Sequence, residues 1–514
     1  MASRTAPVAA LAAALACVPA STAGAEESEI GELRRLVEEL ARENREMRST
    51  IEELRSEVRE TRAEVLSTRD EVPEERPLPP VAAAPAEAPP AAPGQGALLS
   101  RQVGRASFQL LDVSLDVLTA AGGSTVGGEN LDLLQAGEHD PRQRGFTFQQ
   151  AELSLMGAVD PYLGAEAHLI YFLDAEGESR FEIEEAFATS RMLPFGAERL
   201  GFQLEAGQFF SEFGRINPQH PHQWDWQDQP LLNSRFFGGD GMRQTGVQLS
   251  WLSPLPWFSE LRVGMQNCGG ETMVSFCAND EVFEERPIGG RPFGEPRVTG
   301  LEDFTWLARW ANGFDVSDTV SAQLGLSSAF GQNATGGSGF TSIAGGDVVV
   351  KWRPLASDRG WPFLVFQAEA MGRWYDAASF TGCPEGEDPC ADPVFAPGGA
   401  IEDWGLYGQL LWGFARNWAA GIRGEYASGS GAGIGFEEDP LSGDLLVVKT
   451  PRSQDPFRGD RTRISPLLVF QATEFSRLRL QYNYDHALFL SGNEAHSIWA
   501  GLEILFGAHP AHSY

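Results

Sequence analysis

From about Leu98 to the C-terminus, apolar and polar residues alternate with period two, segment after segment, between turn signals. That alternation marks strands with one apolar and one polar face, and it recurs too often here for a small sandwich. In Leu478-Arg-Leu-Gln-Tyr-Asn-Tyr-Asp, Leu478, Leu480, Tyr482 and Tyr484 share one face and Arg479, Gln481, Asn483 and Asp485 the other. Phe202, Leu204 and Ala206 oppose Gln203 and Glu205, and Trp404, Leu406, Leu410 and Trp412 oppose Asp403, Tyr407 and Gln409. Connections alternate between short (Val159–Tyr162, Leu193–Gly196, Ser253–Pro256, Arg416-Asn417, Glu474–Ser476) and long (near 121–145, 212–243, 269–300, 376–400 and 430–461). Short turns at one end and long loops at the other define a transmembrane antiparallel β-barrel. Counting through the alternation predicts about sixteen strands, with an apolar belt around a water-filled lumen and both chain ends on the periplasmic side. Tryptophans flank the short turns in pairs (Trp251 and Trp257, Trp352 and Trp361, Trp412 and Trp418), as an interface girdle requires.

The segment before the barrel divides into three. Residues 1–25 carry Arg4, an apolar run from Val8 to Val18 and a small-residue end, Ala23-Gly24-Ala25, the pattern of a secretory signal peptide. No other stretch is apolar for the eighteen or so residues a membrane helix needs. Residues 26–72 hold an unbroken heptad. The a positions include Ile30, Val37, Asn44, Ile51, Val58 and Val65, and the d positions include Leu33, Leu40, Met47 and Leu54. Glutamates at g (Glu43, Glu57, Glu64) and arginines at e (Arg48, Arg55, Arg62) complete a parallel coiled coil, which implies a homo-oligomer held through Leu40, Asn44 and Leu54. β-branched a positions, leucine at d and one buried Asn favour a dimer. Such a helix would reach roughly 65 Å into the periplasm. Residues 73–97, dense in Pro and Ala, form an extended spacer, and residues 98–514 form the barrel.

A formal net charge of −32 excludes a basic nucleic-acid surface. Cys268 with Cys277 and Cys383 with Cys390 sit in close pairs within long loops, which in an oxidising compartment predicts two local disulfides.

The chemistry concentrates in the third long loop, 212–243. In a pore of this size such a loop folds inward and narrows the lumen, placing Glu212, Arg215, Asp225, Asp228, Arg235, Asp240 and Arg243 at the constriction. Inward wall positions supply Arg262, Arg309, Lys351, Arg373, Arg423, Arg463 and Arg479 in the second half of the chain, and Asp112, Asp116, Glu152, Glu166 and Glu205 in the first. That asymmetry predicts a transverse field, with the loop aspartates facing the arginines. Within the loop, His220, His222, Asp225 and Asp228 are a candidate set for zinc or another divalent cation, since imidazole and carboxylate suit such ions. The competing reading is a Pro- and Trp-rich loop packed on itself. Gly238-Gly-Asp-Gly lacks the following helix and Lys of a phosphate loop, and no Ser/His/Asp constellation assembles, so an enzyme is not indicated.

The run Ala206-Gly-Gln-Phe-Phe-Ser-Glu-Phe-Gly-Arg, with Arg235-Phe-Phe and Gly246-Val-Gln-Leu-Ser, resembles the phosphate-selective porin O/P family, as do Gln150-Ala-Glu-Leu-Ser-Leu and Val159-Asp-Pro-Tyr. The resemblance implies a sixteen-stranded, usually trimeric porin, often following a coiled coil. Pores of that family are lined with lysine, whereas Lys351 and Lys449 are the only lysines here. The stretch Gly214-Arg-Ile-Asn-Pro-Gln-His-Pro-His also looks like exported proteins labelled zinc-regulated outer-membrane receptors, although the chain is too short for a twenty-two-stranded plugged transporter. The sequence therefore implies an outer-membrane porin passing small hydrophilic or charged solutes. Metal uptake and an envelope tether built on the coiled coil are the alternatives.

Overall fold

The computed structural model describes residues 99–103, 106–174, 177–383, 393–439 and 445–507. The expected signal peptide, coiled coil and spacer lie outside the described residues.

Sixteen antiparallel strands close into a barrel. In chain order they are β1 (Ala106–Ser124), β2 (Gly145–Ala158), β3 (Leu163–Leu173), β4 (Ser179–Ser190), β5 (Phe202–Phe210), β6 (Arg243–Leu252), β7 (Phe258–Gln266), β8 (Thr305–Ser317), β9 (Val320–Gln332), β10 (Phe340–Trp352), β11 (Phe363–Ala377), β12 (Gly399–Ala415), β13 (Trp418–Ser430), β14 (Arg461–Thr473), β15 (Ser476–Ala487) and β16 (Glu494–Gly507). Each pairs with its chain neighbours, and β1 closes the cylinder on β16 from Ser114↔Gly507 to Ser124↔Ser497. Closure leaves no free edge, which is what a spanning sheet needs in a solvent without hydrogen-bond partners. A further strand, Leu99–Val103, pairs only with the start of β1.

The alternation read from sequence is realised directly. On β15, Leu478, Leu480 and Tyr482 point outward and are exposed, while Arg479, Gln481, Asn483 and Asp485 point inward and are buried. The same holds on β12 for exposed Trp404, Leu406, Leu410 and Trp412 against buried Asp403, Tyr407 and Gln409. A continuous apolar exterior over polar inward positions is the arrangement of a transmembrane barrel. Trp257, Trp352, Trp412 and Trp418 are exposed next to the short turns, joined by Phe314 and Phe475. Both described ends of the barrel, at β1 and β16, lie on the short-turn side.

The lumen departs from expectation. The segment 211–242 between β5 and β6 crosses the interior and is buried along nearly all its length. Its Phe213, Trp224, Leu232, Phe236, Phe237 and Met242 form an apolar core with Met273 and Phe276 of the next long loop. Inward-facing Leu307, Ile343, Met371 and Tyr407 of the wall complete this core. Fully burying a side chain of this size contributes about 1.5–3 kcal/mol. At this height the barrel therefore holds a protein core where the alternation alone predicts water. The reason is that β8 to β12 place apolar residues inward as well as outward.

The cysteine expectations divide. Cys383 is disulfide-bonded, and Cys390 lies outside the described residues. Cys268 and Cys277 are buried free thiols held side by side, against the predicted bridge. Gly269-Gly270 pairs there with Cys277-Ala278, and the Cys277 amide donates to the Cys268 carbonyl at 3.0 Å.

Candidate functional site

The crossing loop is secured at both sides of the barrel by different chemistry. On the β13–β16 side the anchor is Asp228. Its carboxylate accepts from Arg463 Nη1 at 3.0 Å, Gln481 Nε2 at 2.7 Å and Asn483 Nδ2 at 2.7 Å, and it pairs with Arg423. Burial alone would push this carboxyl up, but the Arg423 and Arg463 guanidiniums hold it down at about 2. Around it, Trp226 donates to the Ser465 carbonyl at 2.9 Å, and the Gln227 amide donates to Gln481 at 2.8 Å. The Leu231 amide donates to Glu425 at 2.5 Å. Arg423 lies 5.5 Å from the Trp226 ring centroid. Trp226 fits because residue 421 is glycine: a Cβ there would stand 2.9 Å from the indole. Gly214, at the loop's start, has φ 65° and leaves no room for a side chain beside Glu369.

On the β2–β4 side, three imidazoles surround one carboxylate. Glu152 of β2 is fully buried. Its Oε1 lies 3.0 Å from His168 Nδ1, and its Oε2 lies 3.0 Å from His222 Nδ1 and 3.4 Å from His220 Nδ1. Glu184 and Glu185 of β4 flank His220, at 2.8 Å from Nδ1 and 2.9 Å from Nε2 respectively. Two successive strand residues ordinarily face opposite ways. Here the β3–β4 register shifts between His168 and Leu169, leaving Glu184 as the extra residue of a bulge, so both glutamates are buried inside.

Beneath the loop, toward the short turns, lies a cavity of about 1590 Å³. Loop residues Glu212, Arg215, Asp225 and Asp228 form its ceiling, and Arg262, Arg309, Lys351 and Arg423 lie on its wall. Basic and acidic side chains line it in near balance, nine to eight.

Arg235, Asp240 and Arg243, also expected at the constriction, lie elsewhere. Arg235 donates into the upper loops, to the carbonyls of Gly459 at 2.6 Å and Arg458 at 3.2 Å. Asp240 pairs with Arg243 at 2.7 Å, and Arg243 also pairs with Glu182. Glu212 pairs with Arg262. The wall arginines point inward but are engaged. Arg309 pairs with Asp347 at 2.7 Å, Arg373 with Asp403 at 2.6 Å and Arg463 with Asp485 at 2.8 Å. Arg479 donates to the Trp224 and Trp226 carbonyls, each at 3.1 Å. Of the loop aspartates expected to face the arginines across a gap, Asp228 and Asp240 instead pair with arginines directly, while Asp225 faces the cavity.

The expected metal set is also regrouped. His220 and His222 come together, but Asp228 is taken up by arginines, and Asp225 faces the cavity. The carboxylates that meet the histidines are Glu152, Glu184 and Glu185, with His168 as a third imidazole. Glu152 was visible as an inward acid. His168 and the two β4 glutamates were missed, because pairing across strands and the bulge have no short-range signal.

Fold and site together define a transmembrane β-barrel with an internal crossing loop. No family model matches the chain. An uncharacterised protein of Aquifex aeolicus (strain VF5) is 29% identical over 385 residues, covering 72% of this chain and 71% of that protein. Among solved structures, the outer membrane channel DcaP of Acinetobacter baumannii is similar, with 10% identity and a TM-score of 0.44, over 77% of this chain and 97% of that one. The anion-selective porin from Comamonas acidovorans gives 10% identity and a TM-score of 0.41, over 77% and 98%. Pseudomonas putida OprB gives 10% and 0.40, over 77% and 94%.

Proposed function

We propose that the chain is an outer-membrane channel for small hydrophilic solutes, in which the loop 211–242 is the constriction that sets what passes. The observation that carries this is a closed, apolar-skinned sixteen-strand barrel with a charged cavity of about 1590 Å³ ending on that loop. A charge-lined chamber of this size inside a lipid-facing cylinder has its natural use in holding hydrated solute. In this reading the short-turn end faces the periplasm, the heptad at 26–72 assembles a homo-oligomer there, and the spacer at 73–97 sets its distance from the barrel. Because the cavity's charges nearly balance, selectivity between small cations and anions is weak.

The test is reconstitution of the purified protein in planar bilayers with a chelator present. The expected result is stepwise conductance that is small for a sixteen-strand barrel, and larger steps when residues 216–236 are replaced by a short Gly/Ser linker. Absence of steps in both proteins, with the folded barrel verified in the same membranes, refutes the channel reading.

A further inference from the structure

We propose that Glu152, His168 and His220 form a binding site for a zinc-class divalent cation, which ties the crossing loop to the barrel wall. The site uses one residue each from β2, β3 and the loop, so it exists only while the loop is docked. This inference goes beyond the channel reading and does not depend on conduction.

Geometry carries the assignment. Glu152, His168 and His220 each offer a ligand atom, and those atoms lie within 4.8 Å of one another. With metal–ligand bonds of about 2.0–2.1 Å, neighbouring donors of a tetrahedral zinc site stand roughly 3.3 Å apart. The separations here are 3.0 Å from His168 Nδ1 to Glu152 Oε1 and 3.4 Å from His220 Nδ1 to Glu152 Oε2, so the two imidazoles approach the two oxygens of one carboxylate. Two imidazoles and a carboxylate are a known zinc donor set that leaves a fourth position open. Glu184 Oε2 lies 2.8 Å from His220 Nδ1, outside the three-residue cluster.

The second observation is a buried pair of polar atoms that no aligned hydrogen bond satisfies. His220 is 5% exposed and Glu184 1%. His220 Nδ1 and Glu184 Oε2 stand 2.8 Å apart without the alignment of a hydrogen bond, and His220 Nδ1 also lies 3.4 Å from Glu152 Oε2. Buried polar atoms without an aligned hydrogen bond are destabilising. A cation accepting the His220 Nδ1 lone pair gives that imidazole the partner it lacks. Meanwhile His220 Nε2 is held by Glu185 at 2.9 Å, the carboxylate–histidine support that orients metal-bound imidazoles. Nitrogen donors favour zinc, cobalt and nickel over magnesium and calcium. A second cluster, Glu138, His139 and Asp240, is weaker, because Asp240 is already paired with Arg243 at 2.7 Å.

The experiment is calorimetric titration of the chelator-stripped, full-length folded protein with Zn²⁺, alongside the absorption spectrum of the Co²⁺-loaded protein. One equivalent should bind with a Kd below about 1 µM. His168→Gln and His220→Gln should each weaken it at least about 100-fold, the scale of losing a ligand or its support, while His139→Gln leaves it unchanged. Co²⁺ should give visible d–d bands of a nitrogen/oxygen site. If a variant does not fold, the wild-type Co²⁺ spectrum and protection of the loop from protease by Zn²⁺ decide alone. No binding tighter than about 100 µM to the folded wild type, binding lost only in His139→Gln, or Zn²⁺ that leaves loop cleavage unchanged would each overturn the proposal. Conductance in chelator tests the channel separately, so either idea can fail while the other stands.

Discussion

Replacing Asp228 with Ala should release one side of the crossing loop without opening the barrel. The carboxylate is the common acceptor for Arg423, Arg463, Gln481 and Asn483, and all four donors sit on the wall. Removing it leaves two buried guanidiniums facing each other. Arg463 keeps Asp485 at 2.8 Å and Arg423 keeps Glu425 at 2.7 Å, so neither is stranded. Breaking a buried pair from one side costs about 3–5 kcal/mol, and these remaining partners place the figure at the lower end. The strand ladders do not involve Asp228, so the cost falls on docking. At about 1.4 kcal/mol per decade, 3 kcal/mol raises the undocked fraction about 10²-fold. Hydrogen exchange at the Gln227 and Leu231 amides reads this directly, because both donate to wall side chains. Their exchange should accelerate about 100-fold while the amides of β16 do not change. Equal acceleration in β16 would mean that the barrel itself was weakened, and exchange within about threefold of wild type would refute the anchor.

The same group sets an acid limit. Its folded pKa of about 2 lies below the ordinary 3.9, so its contribution is full above about pH 4 and is lost as pH falls toward 2; exchange of the loop amides should rise only in that window. Gly421→Val should push the Trp226 indole off the wall and weaken docking by about 1–3 kcal/mol, seen as a red shift in tryptophan emission. Cys268 and Cys277 lie side by side, so mild oxidation of the folded protein should protect both from alkylation together, and protection of one alone would contradict the pairing. Reversal potentials under a KCl gradient should give a cation-to-anion permeability ratio within about a factor of three of unity, since local charge balance leaves no dominant field.

The barrel was legible because lipid imposes its pattern one residue at a time. Any strand such as Leu478–Asp485 carries its full two-faced code locally, and the short turns are marked by Pro, Asn and Trp. The inside of the barrel has no such code. Leu307, Ile343 and Met371 face inward, and nothing in their neighbourhoods distinguishes them from lipid-facing residues until the loop is seen against them. Asp228 was recognised as a loop acid near the lumen. Its partners on β13–β15 lie 195 to 255 residues away, beyond any spacing rule. The histidine cluster was half visible. His220-Pro-His222 stands out in sequence, but its nearest acid in the loop, Asp225, is not its partner. The bulge that turns both Glu184 and Glu185 inward defeats period-two counting at that point.

The loop's partners also bear on the order of assembly. Gln227 donates to the carbonyl of Trp499, 272 residues later, on the strand that closes against β1. The loop's final seat is therefore made partly of the strand that closes the barrel. Ordering such distant contacts is slow compared with pairing neighbouring hairpins. One part of the strut's far bearing, the Trp499 carbonyl, is set in place only as the cylinder closes. Whatever escorts the chain to the membrane has to shelter Phe236, Phe237 and Trp226 until that bearing is built.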